Sequence, residues 1–191
     1  MTSKMELSKE KKVHVNDLID YVICPAKMEI GRVTEKASSR VTARKRMKLG
    51  INDFLLYLMI RKENWSDNIT TSVFSDLEYD GIESDIKKYK ESLDNLALLI
   101  DDTELSLKGC MSEVEVSYGG IILNGSFDLT AESIKTGYRH PVIIDLSNTK
   151  YEPFYNPIMY RAQLVSDHFE LEGTNTKVIV LGAASGRKWE Y

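Results

Sequence analysis

The amino-acid sequence predicts a single α/β domain, mostly helical in its first half and built around strands in its second. Two patterns carry that expectation. As far as Asp101, apolar residues recur at three- and four-residue spacing, as in helices packed along one face. From Ser112 onward the pattern changes to alternation and short apolar runs, which suit strands. The closing segments then follow the order hairpin, strand, helix, strand.

Taken in order, the opening residues MTSKMELSKEKK are polar, mixed in charge and without the apolar stretch of a secretory signal. They read as a frayed tail over 1–13. The domain is expected over 14–191, with a mainly helical part to 105 and a sheet-containing part over 106–191. His14 to Arg32 reads as two short helices broken at Pro25, the first capped by Asn16. A long helix is expected from Ser39, carrying Ile51, Leu55, Leu58 and Met59 on one stripe. Asn64 to Gly81 reads as a polar linker. Glu83 to Asp101 is amphipathic, with Ile86, Tyr89, Leu93, Leu96, Ala97 and Ile100 aligned.

Ser112 to Tyr118 alternates as a strand, Gly119-Gly120 turns the chain, and Ile121 to Thr130 forms the second strand of a hairpin. Pro141 to Leu146 is a short apolar strand. Asn156-Pro157 places a capping residue before a proline, the usual opening of a helix, which should run to Glu170. Lys177 to Gly182 is a last, buried strand.

Composition narrows the function classes. Hydrophobic residues make up 42% and charged residues 28% of the 191, enough for a packed core. No apolar run is long enough to span a bilayer, so no membrane partner is expected. The two cysteines, Cys24 and Cys110, have no CxxC spacing and read as reduced thiols of a cytoplasmic protein. His140 and His168 lack zinc-ligand spacing, so zinc is not expected, and His14 is given no role. The net charge of −4 argues against indiscriminate coating of nucleic acid. Yet Lys36, Arg40, Arg44, Lys45, Arg46 and Lys48 form an acid-free basic run, with Arg40, Arg44 and Lys48 on one helical face. Such a face either neutralises phosphates or is simply the solvated start of a helix.

Three acids occupy places suited to chemistry: Glu115 on the first hairpin strand, Asp128 on the second, and Asp145 at the end of Val142-Ile143-Ile144-Asp145. Carboxylates converging at strand ends can hold a hard divalent cation such as magnesium or manganese. An acid at the end of an apolar strand also has a plain explanation, because solvent begins there.

Ile122-Leu123-Asn124-Gly125-Ser126-Phe127-Asp128, then Val142-Ile143-Ile144-Asp145, then a helix bearing Gln163-Leu164, is an ordered set. It resembles the PD-(D/E)XK nuclease superfamily, and within it the RecB-like branch that includes a CRISPR adaptation nuclease with an iron–sulfur cluster. Leu18 to Pro25 is similar to that branch's opening L-x-x-Y-x-x-C-P element. The resemblance implies a restriction-endonuclease-like core, a central mixed sheet flanked by helices. It implies that Asp128 and Asp145 are metal ligands, that Glu115 is a third acid, and that Gln163 points at the site or the nucleic-acid backbone.

The departures are specific. The family's acid-x-Lys reads Asp145-Leu146-Ser147 here, and serine supplies neither the charge nor the reach of lysine. Lys150 is the nearest substitute, although its odd spacing from Asp145 turns it away unless the strand has ended. The branch's helical histidine falls on Phe54, and the Gln-x-x-x-Tyr motif reads Gln163 to Asp167. Cluster-binding cysteines near the C-terminus are missing, so no iron–sulfur cluster is expected. The leading expectation is a nuclease-like protein that binds DNA, with catalysis impaired or absent. The alternatives are an active magnesium- or manganese-dependent DNA nuclease with a relocated lysine, and an unrelated α/β domain that binds a protein partner.

Overall fold

The computed structural model describes residues 11–18, 42–43, 46–47, 49–51, 53–55, 65–102, 104–146, 158–174 and 176–191. Its elements are β1 (Lys11–His14), α1 (Trp65–Phe74), α2 (Ile82–Asp102), β2 (Leu105–Tyr118), β3 (Ile121–Ser133), β4 (Arg139–Asp145), α3 (Ile158–Leu171), β5 (Ile179–Gly182) and β6 (Arg187–Glu190). Further helical residues lie at 15–18 and between 42 and 55. The fold is α/β, with a six-stranded mixed sheet flanked by helices.

β3 is the backbone of the sheet. It pairs antiparallel with β2 along almost its whole length, and Gly119 and Gly120 close the hairpin at φ of 56° and 88°. Those are left-handed angles that a tight two-residue hairpin requires and glycine adopts without strain. Across its other edge β3 has two partners in succession. β1 pairs parallel with residues 121–124, and β4 pairs antiparallel with residues 129–132. β4 then pairs parallel with β5 through the α3 crossover, and β6 closes the far edge antiparallel to β5.

Both faces of the sheet are covered. On one side Ala43, Ile51, Phe54, Leu55, Ile69, Val73, Leu93 and Leu96 pack against Leu129, Val142, Ile144, Ile179 and Leu181. On the other, Ala162, Leu164 and Val165 of α3 pack against Val114, Val116, Phe127, Ile143, Val178 and Val180. Burial on both faces explains why β4 and β5 read as unbroken apolar runs instead of alternating ones.

Three expectations need correction. The tail assigned to 1–13 ends early, because Lys11 to His14 form β1. KKVH has one apolar residue and no alternation of its own, so it becomes a strand only through the free edge of β3. Asn64 to Gly81 is not all linker. Trp65–Phe74 is a helix whose buried Ile69, Val73 and Phe74 give it an inward face among β-branched and polar residues. β6, four mostly exposed residues, was not foreseen for the same reason as β1. The segments 19–41 and 56–64, which hold the rest of the first two expected helical regions, lie outside the described residues.

Gly125 positions α3. A Cβ built there would stand 2.7 Å from Leu164 Cδ2 and 2.9 Å from Val15 Cγ1, so the side chains of Leu164 and Val15 fill the space above the strand at that point. Gly125→Ala should therefore destabilise the fold by about 1–3 kcal/mol, read as a lower denaturation midpoint in urea. At the far edge, hydrogen bonds from Lys188 and then Lys177 hold the Glu190 carboxyl down at about 2. A depressed carboxyl stabilises the folded state above its unfolded value, and that contribution fades as pH falls towards about 2. Carbon-detected NMR titration should accordingly find Glu190 still ionised at pH values where exposed glutamates have taken up a proton.

Candidate functional site at the gap between β1 and β4

Because β1 releases β3 at Asn124 and β4 joins it at Leu129, the four residues Gly125 to Asp128 face neither neighbour in register. Backbone polar groups in such a gap need other partners when water is excluded. α3 supplies one of them. Arg161 sits on the inward face of the helix beside Ala162, Leu164 and Val165 and is only 5% exposed. Its Nε donates to the Ser126 carbonyl oxygen at 2.5 Å, and its Nη2 donates to Asp128 Oδ1 at 2.9 Å. Asp128 Oδ2 in turn accepts from the Ile144 amide at 2.7 Å. A continuous chain of bonds therefore crosses from a β3 carbonyl, through a guanidinium and a carboxylate, to a β4 amide.

This arrangement brings the Asp128 carboxylate to the β4 backbone next to Asp145. The Asp128 carboxylate binds the amide one residue before Asp145, and both aspartates are buried, 9% and 7% exposed. Along β4, Val142 and Ile144 face the α1–α2 side and Ile143 the α3 side, so alternation places Asp145 on the side of α3 and Arg161. Asp145 also ends the strand, its carbonyl accepting from the Ala183 amide at 2.9 Å.

The other expected residues lie elsewhere. Glu115 is paired in register with Asn124, four residues along β3 from Asp128, or roughly 13 Å at strand spacing. Its carboxylate is partly exposed and accepts from Lys12 Nζ at 2.6 Å. Gln163 is exposed on α3 and donates through Nε2 to Asp167 Oδ1 at 2.6 Å. The helix residue that meets Asp128 is thus Arg161 and not Gln163. Asp167 also accepts from the Tyr118 hydroxyl, so a tyrosine from β2 stands beside the position where a helix tyrosine was expected. Burial, and then that bond, raise the Tyr118 hydroxyl above its ordinary value.

Phe54, at the position of the expected histidine, is fully buried among the helices on the opposite side of the sheet. Of the basic run, Arg46 is described, and it donates to the Ser75 carbonyl at 2.6 Å. That places a cation at the C-terminal end of α1, where the helix dipole favours it. Arg40, Arg44, Lys45 and Lys48 lie outside the described residues, as do Lys150 and Ser147.

Arg161 was missed by sequence reasoning, yet a signal was there. Ile158, Arg161, Ala162, Val165 and Phe169 fall at i, i+3, i+4, i+7 and i+11. A charged residue on an otherwise apolar stripe needs a buried partner of opposite charge.

A hard divalent cation needs carboxylate oxygens open towards a common point. Each oxygen of Asp128 is already engaged, one by a guanidinium that carries the compensating charge and one by a backbone amide. Among the described residues, no three His, Cys, Asp or Glu side chains gather around a point where an ion could sit. As arranged, these residues do not fit magnesium or manganese.

No family model and no curated protein matches the chain. Among solved structures, the one described as "Crystal structure of SSO0001" is similar at a TM-score of 0.33 and 14% identity, covering 97% of this chain and 68% of that one. A likeness this low carries no argument about fold or function. No helix of the described residues is long and apolar enough to cross a membrane.

The Asp128–Arg161 pair has side-chain exposures of 12% and 7%, so removing either partner strands a charge in a desolvated place. Arg161→Met and Asp128→Ala should each cost about 3–5 kcal/mol of stability. Asp128→Ala combined with Arg161→Met should cost less than the two single losses added together. Urea unfolding of the three variants gives the coupling directly.

Proposed function

We propose that the chain is a PD-(D/E)XK-like domain that binds DNA and has lost the chemistry of cleaving it. The observation that carries the reading is the engagement of both Asp128 oxygens by Arg161 and the Ile144 amide. The residue where the family pattern asks for lysine is Ser147, which supports the same reading from the sequence. Loss of a positioned cation at a phosphoryl-transfer site typically costs about 10²–10³-fold in rate. Binding would rest on the basic face of Arg40, Arg44 and Lys48, with Lys45 and Arg46 beside it, through phosphate contacts that need no intact catalytic set.

The adjacency of Asp128 and Asp145 favours a second reading, an active magnesium- or manganese-dependent nuclease with Lys150 in place of the missing lysine. That reading requires Arg161 to leave Asp128.

Fluorescence anisotropy with labelled single- and double-stranded DNA, run beside a cleavage assay in Mn²⁺ and in Mg²⁺, separates the two. Binding should weaken as salt rises, and neutralising Arg40, Arg44 and Lys48 with glutamine should flatten the slope of log K against log salt by roughly 2–3. The DNA should remain uncut. Failure to bind either form of DNA defeats the first reading, and metal-dependent cutting abolished by Asp145→Ala establishes the second.

A further inference from the structure

We infer that Arg161 is a tethered cation that takes the place of a metal ion between β3 and β4, so that the fold keeps its acidic gap closed without any metal. This deepens the non-catalytic half of the reading above and is independent of whether the domain binds DNA.

Three features of the gap lead there. The first is its topology. Among the described residues, 125–128 of β3 have no strand partner on the side where β1 stops and β4 begins, and the buried Asp128 carboxylate reaches the Ile144 amide of β4 there. Such a carboxylate needs a counter-charge that also satisfies its lone pairs. The second is the chemistry of the ligand. Guanidinium is planar, keeps its charge throughout the accessible pH range, and presents donors in a fixed fork. Arg161 uses that fork on two acceptors of β3 at once, the Ser126 carbonyl at 2.5 Å and Asp128 Oδ1 at 2.9 Å. A lysine ammonium, a compact point charge, would not reproduce both directions.

The third is the anchoring of the cation. Arg161 neighbours Ala162 and is one turn of helix from Leu164 and Val165, all buried against the sheet. Leu164 lies against Gly125, where a methyl group would force Leu164 or Val15 to shift. The guanidinium is therefore held by a packed helix, and withdrawing it would break its bonds to the Ser126 carbonyl and to Asp128. A dissociable ion reaches such a site from solution and competes for it by mass action. Arg161 is covalently present at all times.

The test is Mn²⁺ binding, followed by electron paramagnetic resonance of free Mn²⁺ and by melting temperature with Mn²⁺ or with chelator. The wild type should melt at one temperature in both conditions and leave Mn²⁺ free. Arg161→Met removes the charge and keeps an apolar side chain of useful length. It should melt lower in chelator, recover part of the loss in Mn²⁺, and bind Mn²⁺ at least roughly tenfold more tightly than the wild type. Adding Asp128→Asn to that variant should erase both the recovery and the binding. An Arg161→Met protein indifferent to Mn²⁺ overturns the inference, and so does wild-type Mn²⁺ binding that Asp128→Asn removes. Should Arg161→Met stay unfolded with and without Mn²⁺, the wild-type titration decides: Asp128-dependent binding overturns the inference, and its absence up to millimolar Mn²⁺ upholds it. Absence of DNA binding would leave either result unchanged, so the two failures remain distinguishable.

Discussion

A central strand that outlasts both partners along one of its edges creates a problem that the rest of the molecule is arranged around. β3 spans Ile121–Ser133, and its second edge is shared between two short strands that do not meet. Between them the ladder is interrupted while both faces of the sheet are already covered by helices. Unpaired backbone groups are tolerable at a wet edge and costly in a dry one. Here the solution is a side-chain bridge. A carboxylate of β3 takes the β4 amide, and an arginine of α3 takes both that carboxylate and a β3 carbonyl. Gly125 lies beside this bridge and leaves room for the Leu164 side chain of the same helix against β3.

The bridge gives the acidic site its present character. A buried carboxylate in the middle of β3, bonded to the β4 amide next to a second buried aspartate, needs a counter-charge. The guanidinium beside Asp128 lowers the need for a cation from solution. In its place the site has a directional, permanently charged donor that also fastens a helix to two strands. Buried ion pairs of this kind contribute little net stability compared with well-packed apolar groups, but breaking one by halves is expensive. Such a pair therefore acts more as a constraint on geometry than as a source of stability. It fixes where α3 lies on the sheet and how far β3 and β4 part.

On the outer surface of α3 a second polar cluster forms from Gln163, Asp167 and Tyr118, with His168 Nδ1 3.1 Å from the Glu115 carbonyl. It links the helix to the tip of the long β2–β3 hairpin. The two clusters sit on different faces of one helix, because Arg161 and Gln163 are two residues, or about 200°, apart. Sequence reasoning gave the exposed glutamine a catalytic role and overlooked the arginine. The glutamine's role came from the family resemblance, and its helix face is exposed, while Arg161 is in phase with the buried Ala162 and Val165.

The residue pattern alone was enough to specify the helix at 83–101, the hairpin with its Gly119-Gly120 turn, the apolar strands around 142–145 and 179–182, and the helix before the last of these. These are long or strongly periodic segments in which local preference and burial agree. It also located Gly125, Asp128 and Asp145 as residues with particular positions. Only the tertiary structure decided that KKVH and RKWE are strands, since four residues with a single apolar member acquire that conformation from an open edge offered by another strand. It likewise decided that Glu115 stays apart from Asp128, because register sets distance along a strand and register is a property of pairing. The same holds for the partner of Asp128. A guanidinium 33 positions away became its counter-charge because helix packing on the sheet carried it there, and no local pattern encodes that approach.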